Sequence, residues 1–199
     1  MANTIHPEAT PVAAVAPCGL NHLVINVRDM EESHRFWTEI IGMKQVGELM
    51  GRPSGAPRRG TMRFYSADHG GGRMNHHDIA LVETPELPAL PADGSAPTTA
   101  ISHIAIALPG REAWLRQLAF LQSRGIKFER RVEHGMTHSL YIRDPNGYSL
   151  ELLYELPREV WEGDIQAALN HYVALPTEGA EALKDRADDV PVFARPDAV

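Results

Sequence analysis

Two stretches of the chain share one hydrophobic rhythm. Asn21 to Val27, NHLVINV, is apolar and β-branched, and Ser102 to Leu108, SHIAIAL, repeats it. Each predicts a strand that opens on a polar residue and a histidine. After the first, DMEESHRFWTEIIGMK sets Met30, Phe36, Trp37, Ile40 and Ile41 at roughly helical spacing and stops at Gly42, a good helix terminator. After the second, REAWLRQLAFLQSRGIK repeats the design with Trp114, Leu115, Leu118 and Leu121 before Gly125. Phe36, Trp37 and Trp114 read as helix packing rather than as clamps for a ligand. The parallel continues: RFYSAD at 63–68 matches SLYIRD at 139–144, and HHDIALVE and YSLELLYE close the two halves as further strands. Each half reads strand, helix, then three strands. Because a repeat of this size buries its hydrophobic faces against its twin, the expected fold is α+β, two βαβββ modules building a cleft between curved sheets.

The remaining segments lack this rhythm. Residues 1–17 are rich in Ala, Pro and Thr and read as an arm; 18–83 form the first module; 84–98, with four prolines, a linker; 99–157 the second module. Residues 158–199 are expected to be a helix and tail, with Val160, Trp161, Ile165, Ala168 and Leu169 available for packing over the cleft mouth or against another subunit. Those apolar contacts make a homo-oligomer, a dimer, the expectation. His171 and Tyr172 could approach the site from there.

Composition narrows the class. Hydrophobic residues make up 43% and charged residues 23%, a globular balance. The net charge of −7 with scattered basic residues argues against nucleic acid. One cysteine, Cys18, excludes an internal disulfide or a Cys-rich zinc site, so a reducing cytoplasm is expected. Apolar runs fall far short of the about 20 residues a membrane span needs.

His22 and His103 occupy equivalent positions on equivalent strands, so they can converge across the cleft. Imidazole is the commonest protein metal ligand, although a single histidine opening an apolar strand is more often structural. Strand alternation sets Glu151 on the face opposite Leu150 and Leu152. Burying an unpaired carboxylate costs several kcal/mol, and either an arginine or a metal would compensate it. Two histidines and a carboxylate from three strands make the facial triad used by non-haem iron(II), which leaves positions open for substrate and dioxygen. Aligning ALVE with ELLY puts Ala80 opposite Glu151, and Ala80 offers no fourth ligand; Glu83, at the strand end, reads as an exposed charge. His34 reads as solvated, His69 as part of a Gly-rich turn, and Arg58 and Arg59 as the border of the cleft or an ordinary loop.

The pattern HLVINV, HHDIALVE, SHIAIAL and SLYIRDPNGYSLELLYE resembles the vicinal oxygen chelate superfamily, which includes glyoxalases, extradiol dioxygenases and bleomycin-resistance proteins. The likeness covers about residues 19–156. It implies Fe(II), or Mn(II), held by His22, His103 and Glu151, with a small aromatic diol and O2 as reactants. Carried over from extradiol enzymes, His77 would be the acid/base group and Tyr141 would hydrogen-bond a substrate hydroxyl. His134, or failing that His138, would be a supporting histidine near the substrate. The alternatives are a glyoxalase-like isomerase or lyase with Zn(II) or Ni(II), and a metal-free small-molecule binding protein. Two irregularities are expected. Strict alternation turns His77 away from the face of Ala80 unless a bulge or bend intervenes, and a four-residue DPNG loop would pair Tyr141 with Leu150 rather than Glu151. His76 is expected to turn away.

Overall fold

The structure, a computed structural model, describes residues 19–49, 61–91, 95, 101–186 and 191–193. The expectations for the N-terminal arm, Cys18 and the Arg58–Arg59 loop lie outside these residues, as does part of the proline-rich linker.

Strand β1 (Leu23–Val27) sends Ile25 and Val27 into the core while Val24 and Asn26 face outward. Helix α1 (Met30–Arg35) starts at Asp29, whose carboxylate accepts the Glu32 N–H at 2.8 Å, a side-chain N-cap. It continues as one wide π turn over Phe36–Ile40 and ends at Gly42, where φ is +89°. Strands β2 (Lys44–Glu48), β3 (Met62–Ser66) and β4 (Ile79–Glu83) complete a sheet of order β1-β4-β3-β2, with β1 parallel to β4 and the other pairs antiparallel.

The second half repeats this plan. Strand β5 (Ile104–Ala107) leads to α2 (Arg111–Ser123), which closes at Gly125 with φ +70°, as the sequence predicts. Strands β6 (Arg130–His134), β7 (Thr137–Arg143) and β8 (Ser149–Glu155) follow. After two short helices, α3 (Arg158–Trp161) and α4 (Ile165–Asn170), strand β9 (Tyr172–Leu175) joins the edge of β6. The second sheet therefore has five strands, β5-β8-β7-β6-β9. The C-terminal segment thus holds two short helices followed by a strand.

One buried cluster joins the two halves on the helix side. It contains Phe36 and Trp37 from the first half and Trp114, Leu118, Leu121, Leu150 and Leu152 from the second. Trp114 donates its indole N–H to the Leu152 carbonyl at 2.9 Å. The sheet faces opposite the helices carry the candidate site.

Candidate functional site

On the second sheet the site is a row across adjacent strands. Tyr141 on β7 pairs directly with Glu151 on β8, and Glu151 pairs with Ala105 on β5. His103, two residues before Ala105, shares their face. The Tyr141 hydroxyl donates to Glu151 Oε1 at 2.7 Å, and His103 Nε2 lies 3.0 Å from Oε2. The direct Tyr141–Glu151 pairing requires no distortion of the ladder. Five residues, Asp144–Tyr148, connect the paired Arg143 and Ser149, one more than the four expected. The Asp144 carboxylate accepts the N–H groups of Asn146 and Tyr148 at 2.9 and 2.8 Å, and Gly147 takes φ +88°. Side-chain bonds to nearby backbone N–H groups fold such a loop.

Glu151 is buried, and its two oxygens are divided between a phenol and an imidazole. Arg130 is directly opposite Tyr141 and stacks on its ring, with Cζ 3.9 Å from the centroid. Burial first, then the Glu151 carboxylate, push the Tyr141 phenol well above its ordinary value, so it stays an O–H donor. His134 Nε2 lies 3.4 Å from that hydroxyl. His138, the alternative to His134, is on the other side of the strand: Glu133 and His138 pair across β6–β7 on the helix face. There His138 Nδ1 lies 2.5 Å from Asp185 Oδ1 and 3.1 Å from the Tyr154 hydroxyl, fully buried. Parity rules it out as a residue of the cleft.

The first sheet holds a different group. His22 stands just before β1, with its ring centroid 4.3 Å from that of His77 and 6.1 Å from that of His76. His77 lies outside the β4 ladder, which starts at Ile79, so alternation does not bind it. Its ring meets Phe64 at 4.9 Å, and Phe64 pairs with Ala80 on the same face. The expected bend is thus the turn before β4. His76 does not turn away; its Nδ1 lies 2.8 Å from Nδ1 of His77. Burial, then the charges of His22 and His76, hold His77 below the ordinary imidazole value. Asp78 fixes this turn by accepting from Ala67 N–H, Ser66 Oγ and Asn75 Nδ2 and contacting His69. His34 is half-buried against the Tyr65 hydroxyl at 3.1 Å rather than solvated.

Ala80 pairs with Val24 as Glu151 pairs with Ala105. The register therefore places an apolar residue at the position equivalent to the carboxylate. Glu83 is not a free charge at the strand end; it accepts from Met30 N–H and Thr61 Oγ1.

The His103–Glu151 pair is spaced as two ligands of one divalent ion would be. Two donors bound at about 2.1 Å and roughly at right angles stand about 3 Å apart, the separation between His103 Nε2 and Glu151 Oε2. His22 belongs to the other sheet's cluster. Among the described residues no three His, Cys, Asp or Glu side chains are gathered tightly enough to hold an ion.

Two further residues, Arg130 and Tyr172, reach this face. Nothing local in the sequence marks Arg130, whose partner across the strand, Tyr141, is set by the register. Tyr172 reaches the face because β9 adds to β6 opposite His134, their rings 5.9 Å apart. His171 instead faces Glu133 and Phe193.

Known proteins share this plan. Catechol-2,3-dioxygenase of Bacillus subtilis is 25% identical over 170 residues, covering 85% of this chain and 52% of that protein. Lactoylglutathione lyase of Schizosaccharomyces pombe is 26% identical over 147 residues, covering 67% and 46%. The chain spans about half the length of these two relatives. A solved glyoxalase/dioxygenase structure from Nostoc punctiforme superposes with a TM-score of 0.54 at 19% identity, covering 74% of this chain and all of that one. The family model described as Glyoxalase/Bleomycin resistance protein/Dioxygenase superfamily matches residues 19–152, both repeats from His22 to Glu151, and the chain belongs to that superfamily.

Proposed function

We propose that the protein is an extradiol-type dioxygenase that opens a small aromatic diol with O2, using Fe(II), or alternatively Mn(II), held by His22, His103 and Glu151. The observation that carries this reading is the division of one buried carboxylate: Tyr141 takes one oxygen of Glu151 and leaves the other beside His103. The bound ion would supply a redox-active Lewis acid with positions open to diol and dioxygen. Ala80, where the repeat would place another carboxylate, favours that open coordination.

The chain's own groups have distinct tasks. Tyr141 keeps its proton and orients Glu151, while its hydroxyl remains within reach of a substrate oxygen. His134, beside that hydroxyl, supports its orientation. His77, held toward its neutral form by its surroundings, can take a proton from a diol hydroxyl and return it to the opening ring. Phe64 and Val24 line the face on which His77 lies and provide apolar contact for an aromatic ring.

Protein reconstituted anaerobically with Fe(II) and assayed on a panel of catechols should consume oxygen and form a yellow ring-opened product. No oxygen uptake across the panel would sink the proposal, and turnover of a hemithioacetal with Zn(II) or Ni(II) would replace it with the isomerase reading.

A further inference from the structure

Two consecutive arginines, Arg130 and Arg131, part company on β6, because alternation sends them to opposite faces of the sheet. Arg131 is buried on the helix side, where its guanidinium lies over the Trp114 ring and donates to the carbonyls of Pro176, Glu181 and Lys184. Arg130 is exposed on the site face, directly opposite Tyr141. One arginine fastens the C-terminal segment, and the fold gives the other no comparable structural task.

Ion pairing elsewhere sharpens the difference. Arg63 meets Glu31 and Glu48, Arg111 meets Asp185, and Arg124 meets Glu39. Among the described residues no carboxylate pairs with Arg130: the adjacent Glu129 is held by Lys127 at 3.1 Å and Arg143 at 3.9 Å, and the buried Glu151 by Tyr141 and His103. What holds Arg130 is the Tyr141 ring, with Cζ 3.9 Å from its centroid. Stacking on an aromatic face fixes the guanidinium plane and leaves the N–H groups at its edge available to a planar anion.

Position makes that edge part of the site. The guanidinium lies over the Tyr141 ring and the phenol oxygen at that ring's tip, so the two stand within the span of one aromatic ring and its substituents. The hydroxyl, through its bond to Glu151, marks the end where the diol binds. The chain carries a net charge of −7, so an unpaired cation here reverses the field locally and favours an anion over a neutral molecule of the same shape. One guanidinium matches one carboxylate in charge and in its two-oxygen geometry.

We infer that the substrate is an aromatic diol with a carboxylate on its ring, and that Arg130 binds the carboxylate while the diol end meets Tyr141 and Glu151. Arg130 thereby sets specificity. The inference rests on the proposed dioxygenase reading and names its substrate class.

Paired probes test it. Protocatechuate is catechol with one carboxylate on the ring, and protein loaded with Fe(II) should prefer it to catechol about 10- to 100-fold in kcat/KM, chiefly through KM, the worth of one charge-assisted bidentate pair. Arg130→Met should bring that ratio close to one, and Arg130→Lys should keep part of it; circular dichroism confirms that both are folded. Equal losses on the two diols, with the ratio unchanged, would mean that Arg130 only positions Tyr141, and would overturn the inference. A binding arm needs no turnover: para-hydroxybenzoate and phenol, titrated calorimetrically into anaerobic Fe(II) protein, should show the same preference in the wild type and lose it in Arg130→Met. A wild type that binds both phenols equally, or neither, overturns the inference even where catechol is cleaved. A wild type that cleaves neither diol yet binds para-hydroxybenzoate through Arg130 overturns the dioxygenase reading and leaves the carboxylate subsite standing.

Discussion

Tyr141 and Glu151 face each other across β7 and β8, and the phenol donates to the carboxylate at 2.7 Å. Glu151 is buried, so that bond both offsets its desolvation and aims its second oxygen. Residues that orient a metal ligand are commonly worth 10- to 100-fold in metal affinity. Tyr141→Phe should accordingly weaken Fe(II) binding about 10- to 100-fold with an unchanged far-ultraviolet circular dichroism spectrum. Unaltered affinity in an anaerobic competition titration would show that the bond does not position the ligand.

A second buried network anchors the C-terminal segment. Burial pushes Asp185 upward, but hydrogen bonds from His138, Tyr154 and Arg111 outweigh it and hold the carboxyl at about 2. A depressed carboxyl contributes stability above its unfolded value near 4 and loses it as pH falls through its folded value. The window is therefore about pH 4 to pH 2, and the contribution at neutral pH is on the order of 2 kcal/mol. Asp185→Asn should lower the urea midpoint at pH 7 and flatten the loss of stability below pH 4. Identical acid profiles for variant and wild type would mean that Asp185 is not the group responsible.

The parts of the site that follow from local pattern are readable in the chain. Histidine before a β-branched strand, a carboxylate between leucines and a positive-φ glycine after α1 and after α2 are short-range features, and the structure keeps them. His134 and His138 differ in role by parity alone, which a defined ladder resolves and a sequence with uncertain register does not. Strand β9 is not legible in the sequence because Tyr172–Leu175 is short and follows a helical segment, so nothing local separates it from the helix. The separation of His22 from His103 depends on Trp37 and Trp114 packing into one cluster across a long connection. No local pattern encodes which faces of two similar modules meet.

The turn that carries His77 has its own fastener. Asp78 is raised by burial but drawn down to about 2 by bonds from His69, Ala67, Asn75 and Ser66. Asp78→Ala removes the common acceptor of residues 66–75 while leaving β3 and β4 paired. Amide exchange in residues 67–77 should accelerate well beyond that in β3 and β4, and turnover should fall with Fe(II) stoichiometry retained. Exchange that rises equally through both strands would mean that Asp78 supports the sheet rather than the turn.

Asn146 ties the β7–β8 loop to the first half of the chain. Its Oδ1 accepts the Arg28 N–H at 2.7 Å and its Nδ2 donates to Ser33 Oγ at 3.0 Å, while Ser33 is fully buried. Asn146→Ala strands both partners, and leaving the buried Ser33 hydroxyl unpaired costs about 1–3 kcal/mol. Because Trp37 and Trp114 belong to one core, the loss should lower the stability of the whole molecule rather than release one half. Urea unfolding should remain a single transition at a lower midpoint with an unchanged slope. Two resolved transitions, with the fluorescence of Trp37 and Trp114 changing at different urea concentrations in single-tryptophan variants, would mean that the halves are separate cooperative units.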